Sequence, residues 1–136
     1  MPLSKRQRKY IVIYKIPVWR RDVKMNILHI GQNGVLPAEI DNTLSALQRA
    51  VGGHIEVIHL TDKLAVICNE EGKLLGLPVT AALSNDSGKL TDMLCGDLVI
   101  CRTTPDGEFT DIQPQDYPAL RLYLTVLRHG TCYAAP

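Results

Sequence analysis

The residues that most narrow what this chain can fold into run from Glu39 to Leu60, Glu-Ile-Asp-Asn-Thr-Leu-Ser-Ala-Leu-Gln-Arg-Ala-Val-Gly-Gly-His-Ile-Glu-Val-Ile-His-Leu. Leu44, Leu47 and Val51 recur at steps of three and four, which puts them on one face of a short helix, with Ile40 close to the same stripe. Asp41 or Asn42 is the expected N-cap, because either side chain accepts a hydrogen bond from the free N–H groups of a first turn. Gly52-Gly53 is the stop, since a residue without Cβ takes the left-handed conformation at little cost. Ile55, Val57, Ile58 and Leu60 follow at once, a β-branched run that reads as a strand. A helix running straight into a strand is an α+β nucleus. It carries no recognisable chemistry of its own.

Strands are expected around this nucleus at Tyr10–Tyr14, ended or held to a sheet edge by Pro17, and at Met25–Ile30, followed by a Gly31-Gln32-Asn33-Gly34 turn. Leu64–Cys68 pairs back on the central strand as a hairpin. Asn69-Glu70-Glu71-Gly72-Lys73 is a turn in which Gly72 supplies a positive φ, and Leu74–Leu77 continues the meander to Pro78. Thr80–Leu83 reads as a short helical attempt before a polar loop at Ser84–Gly88. Gly96-Asp97 introduces a strand at Leu98–Cys101, and Pro105–Glu108 is a turn. Pro114 suits a first helical position, and Tyr117, Leu120, Leu124 and Leu127 extend that helix to about Arg128. The fold class is therefore α+β, an antiparallel meander sheet packed by a short central helix and a C-terminal helix. Residues 1–24 form a basic extension, 25–129 one domain and 130–136 a loose tail; 136 residues with 46% hydrophobic content suffice for one core.

The net charge of +1 conceals an asymmetry. Residues 1–24 hold eight Lys or Arg against Asp22, a balance of +7, and the other residues hold seven bases against thirteen acids, a balance of −6. Met25 could itself be a start, leaving the basic extension as an optional addition. No apolar run reaches the roughly 20 residues of a membrane span and the charged beginning lacks a signal-peptide core, so the chain reads as soluble and cytoplasmic. Cys68, Cys95, Cys101 and Cys132 contain no Cys-x-x-Cys pair and read as buried, reduced thiols.

Residue spacing argues against most catalytic classes. His54 and His59, an odd step apart on a presumed strand, point to opposite faces, and His29 and His129 have no neighbour in sequence to complete a metal site. No Gly-x-Ser-x-Gly, phosphate loop or dinucleotide fingerprint is present, so no catalytic residue, metal or cofactor is expected. Gln48, at the border of the helix's apolar stripe, either ties the helix to a neighbour or walls a small polar pocket. Asn69, Glu70 and Glu71 with Lys73 are either a solvated turn or groups that hold the ribose or base of a nucleotide. Lys5, Arg6, Arg8, Lys9, Arg20 and Arg21, near Tyr10, Tyr14 and Trp19, are the groups through which the extension would contact nucleic acid, or a solvated arm.

Glu39-Ile40-Asp41, Leu44, Leu47-Gln48, Val51-Gly52-Gly53, Ile55-Glu56, Asn69-Glu70-Glu71-Gly72-Lys73, Leu77-Pro78 and Gly96-Asp97 together resemble a small family of bacterial, plasmid and phage proteins catalogued as a domain of unknown function. The resemblance covers about residues 25–112 and implies a small α+β domain in a mobile-element setting, with no established catalytic residues. The chain departs from the family pattern at Val79-Thr80-Ala81, where an Asn is common, and in its basic extension. From this setting the expected function is a non-enzymatic phage or plasmid accessory protein that binds a small polar, nucleotide-like ligand and so counters a host defence. The alternatives are an inhibitor or adaptor of a host defence protein acting through an acidic face, as a homodimer or not, and nucleic-acid binding through the arm.

Overall fold

The computed structural model describes residues 24–32, 34–128 and 131–134. In chain order the elements are β1 (Lys24–Gly31), β2 (Gly34–Asp41), α1 (Leu44–Val51), β3 (Ile55–His59), β4 (Leu64–Asn69), β5 (Val79–Ser84), β6 (Leu90–Cys95), β7 (Leu98–Thr103) and β8 (Phe109–Thr110). A 3₁₀ turn at Pro114–Asp116, α2 (Tyr117–Tyr123), β9 (Leu124–Arg128) and β10 (Thr131–Ala134) complete them. The strands form two antiparallel sheets, the larger in the order β2-β1-β7-β4-β3 with β8 on β7, the smaller in the order β10-β9-β5-β6. This is the expected α+β class, mostly antiparallel sheet with one helix in the middle and one near the C-terminus.

The layers follow from the alternation of side chains along each strand. Leu28, Ile30, Leu64, Val66, Leu98 and Ile100 face the smaller sheet and α2, where they meet Leu83, Leu94, Leu120, Leu124 and Val126. Met25, Ile27, Ile55, Val57, Ala65, Ile67, Val99 and Cys101 face the other way and are covered by Leu47 and Val51 of α1. The larger sheet is thus buried on both faces, between the smaller sheet and one helix. Each fully buried Leu or Ile contributes about 1.5–3 kcal/mol.

The central helix begins at Thr43, whose extended backbone and Oγ1, accepting from the Ala46 N–H at 3.1 Å, make it the N-cap in place of Asp41 or Asn42. Ile40 and Asp41 belong to β2, because the whole of Lys24–Gly31 pairs with Gly34–Asp41 and the ladder outweighs the helical spacing of Ile40. Asp41 is ion-paired with Lys24 opposite it, and Asn42 is buried and donates to the Phe109 carbonyl at 3.0 Å. Pro37 lies in β2, an edge strand that needs no N–H there. Gly52 ends the helix at φ 80°, its N–H on the Gln48 carbonyl at 2.8 Å, as the glycine pair foretells.

Several expected elements are different. Gly72 is not a positive-φ glycine; its reason is space, since a Cβ would come 2.9 Å from the Cys95 carbonyl oxygen. Positive φ falls instead at Gly76, 70°, and Leu74–Gly76 is turn, with Leu74 and Leu75 exposed. Thr80–Leu83 is strand, because pairing with β6 and β9 satisfies its backbone and buries Ala81 and Leu83. The C-terminal helix stops at Tyr123. Leu124 and Val126 are spaced for a strand as well as Leu120 and Leu124 are for a helix, and β5 and β10 claim them for the smaller sheet. Thr131–Ala134, expected to be loose, is the strand paired with β9. The expected strand at Tyr10–Tyr14 lies outside the described residues.

Cys68, Cys95 and Cys101 are buried free thiols, and desolvation pushes the Cys101 thiol up to about 12. A thiol raised in this way contributes stability that is complete below its ordinary value near 9.0 and is lost as pH climbs toward the folded value. At pH 8 a thiol reagent is therefore expected to label Cys101 only as fast as the chain unfolds, and prompt labelling of the native protein would contradict its burial. Leu47→Ala, which empties the contact between α1 and the sheet, is expected to cost about 2–5 kcal/mol in denaturant unfolding. A loss below about 1 kcal/mol would show that the helix does not cover that core.

Candidate functional site

Gln48 is half-buried in the last turn of α1, the border position its phase predicts. Asn69, at the end of β4, is buried; its Nδ2 donates to the Val51 carbonyl at 3.2 Å and its Oδ1 accepts the Glu71 N–H at 2.8 Å. A Cβ on Gly53 would stand 2.9 Å from that Nδ2, so the second glycine of the helix stop makes room for the amide. Asn69 thus sits at the C-terminal end of α1, where it stitches helix to turn with both ends of its amide. The Glu70 N–H donates to the His54 carbonyl at 2.8 Å, and the exposed Lys73 is ion-paired with Asp92 on β6, toward the smaller sheet. That hydrogen bond to Asp92 raises the Lys73 ammonium above its ordinary value. None of these five residues lines either of two clefts found at opposite ends of β7.

The larger cleft, about 610 Å³, opens where β7 ends. His59 closes β3, Asp62 and Lys63 come from the β3–β4 turn, Arg102 and Thr103 from β7, Thr104 and Gly107 from the β7–β8 turn, and Thr110 from β8. Its two turns are braced. Thr61 Oγ1 accepts the N–H groups of Lys63 and Leu64 at 3.1 and 3.0 Å, and Thr103 donates its own to the Lys63 carbonyl at 2.8 Å. Thr104 Oγ1 accepts the Glu108 N–H at 3.1 Å across the turn that Gly107, at φ 84°, allows. Behind them Arg102 places Nε and Nη2 on Asp116 Oδ1 at 3.2 and 3.1 Å, while Asp116 Oδ2 accepts the Gln113 N–H at 2.9 Å. The carboxylate is 6% exposed and the arginine side chain 22%. Nη1 is left without a protein partner among the described residues, on a guanidinium that its buried carboxylate holds still.

The smaller cleft, about 250 Å³, lies at the start of β7 and is lined by His29, Gly31, Gln32, Gly34, Leu36 and Asp97. His29 Nε2 is 3.2 Å from Asp97 Oδ2. The sequence gives His29 no partner because Asp97 reaches it only through the β1–β7 register, in which His29 faces Val99. The same holds for Arg102 and Asp116. Each of these residues is unremarkable in its own segment, and the Gly96-Asp97 and Pro114 signals locate turns without saying what they touch. His54 lies in the bend before β3, so the strand parity used to separate it from His59 does not apply to it. Among the described residues no group of three or more His, Cys, Asp or Glu could hold a metal ion. Among them also no helix is long and apolar enough to cross a membrane. Lys5, Arg6, Arg8, Lys9, Arg20 and Arg21 lie outside the described residues.

The model of a domain of unknown function, DUF3846, matches residues 25–124, and the chain belongs to this family. No curated protein and no solved structure matches it.

Asn69→Ala is expected to lower stability by about 1–3 kcal/mol, because it leaves the Val51 carbonyl and the Glu71 N–H without their partner. Unfolding as stable as the original chain's would show that the amide is not structural.

Proposed function

We propose that this domain binds a small ligand bearing a phosphate or carboxylate, and that the larger cleft is where it binds. The observation that carries the reading is the Arg102–Asp116 pair. A buried carboxylate orients the guanidinium along the floor of the cleft, which leaves donors of a fixed fork for a planar or tetrahedral anion. Lys63 at the rim adds a second cation, and Thr103 and Thr110 add hydroxyl-bearing walls. A volume of about 610 Å³ lies within the 300–1,000 Å³ usual for small-molecule sites and accommodates a nucleotide-like body behind the anion. The accessory role expected from the sequence, sequestering a nucleotide-derived signal, fits a cleft of this kind. The binding residues on this reading are Arg102 and Lys63 in place of Gln48, Asn69, Glu70, Glu71 and Lys73.

A thermal-shift panel of inorganic phosphate, nucleoside monophosphates and cyclic nucleotides tests it. A ligand present at a hundred times its Kd adds about 2.7 kcal/mol to the folded state, a rise on the order of 10 °C for a domain of this size. Lys63→Glu, at an exposed position with little bearing on folding, is expected to weaken the same ligand about tenfold. A panel without any rise, or a rise that Lys63→Glu leaves intact, would contradict the proposal.

A further inference from the structure

The smaller cleft carries a different set of groups and makes no use of the residues proposed above. Among the described residues its only charged lining residue is Asp97, which is half-exposed, and none of them is Lys or Arg. An imidazole that carries its proton on Nε2 donates it to Asp97 Oδ2 and keeps Nδ1 as an acceptor. Asp97 Oδ1 has no hydrogen-bond partner among the described residues. Gly31 keeps the pair uncovered: a Cβ there would come 3.1 Å from Asp97 Oδ1 and 3.2 Å from His29 Cε1. Leu36, opposite His29 in the β1–β2 register and 52% exposed, is an apolar wall beside two acceptors.

We infer that this cleft takes the protonated head of an alkylamine or a guanidinium. The cation donates to Asp97 Oδ1 and to His29 Nδ1, and its alkyl stem lies along Leu36, as the stems of lysine and arginine lie on apolar surface while their charged ends seek polar groups. About 250 Å³ is smaller than the usual site for a whole metabolite and holds one basic side chain or a short diamine. Such a head comes either from a free polyamine or from a lysine or arginine of another protein, and the chemistry of capture is the same.

The His29 ring resonances, followed by NMR while the full chain is titrated with putrescine and, separately, with a short lysine-containing peptide, test the inference. Binding in the millimolar range is expected to move them, and Asp97→Asn is expected to weaken it about tenfold or more. Lys63→Glu leaves this response unchanged, which separates it from anion binding in the larger cleft. Leu36→Lys, a charge at an exposed position, places a tethered ammonium beside the pair and is expected to abolish binding even if Asp97→Asn proves unstable. A response to the diamine alone supports a free amine as occupant, and a response to the peptide alone supports a basic side chain. No movement of the His29 resonances with either probe up to about 50 mM, or binding that survives Leu36→Lys, would overturn the inference.

Discussion

Everything in this domain leans on β7. Leu98, Val99, Ile100 and Cys101 are wholly buried, packed alternately into the core shared with the smaller sheet and the core under α1. β1 and β4 take its two edges, so its backbone polar groups are satisfied inside the sheet and its apolar side chains are shielded on both faces. Remove this strand and neither core closes. The near-continuous apolar run is what such a position requires, and it is why Leu98–Cys101 reads plainly as a strand.

A strand with no free edge or face in its middle can support function only at its ends. At one end Asp97 meets His29 beside two glycines; at the other Arg102 is turned onto buried Asp116 and Thr103 anchors the β3–β4 turn. The two ends differ because different partners reach them. A half-exposed carboxylate offers acceptor oxygens at one cleft, whereas a carboxylate buried behind an arginine holds a guanidinium in place at the other. The Arg102–Asp116 pair is also costly to break from the arginine side, since Asp116 alone would be a carboxylate left in the interior, worth about 3–5 kcal/mol.

Much of this fold was legible in the sequence wherever local chemistry and tertiary packing agree. The Gly52 stop, the β3–β4 hairpin and the β7 run are each specified within a few residues and are found where the residues put them. Where two periods compete, packing decides. Leu120, Leu124 and Leu127 spell a helix, but Leu124 and Val126 also spell a strand, and the smaller sheet takes them. Ile40 sits at helical spacing from Leu44 and Leu47, yet β1 offers it a ladder. The clefts were not legible at all. His29 and Asp97 are separated by most of the domain, Arg102 and Asp116 are brought together by a 3₁₀ turn, and no short-range pattern encodes either meeting. Asn69 illustrates the converse: its polar turn suggests a ligand, and its amide is occupied by the end of the helix it follows.

The claim that β7 is the common support of both cores and both clefts is tested most directly by native-state hydrogen exchange. The amides of Val99, Ile100 and Cys101 are expected to exchange only through global unfolding, with the full unfolding free energy, while those of α1 and the β7–β8 turn open by smaller, local events. Exchange at β7 as easy as at α1 or at that turn would contradict the account, because the strand would then be opening while the rest of the domain stayed folded.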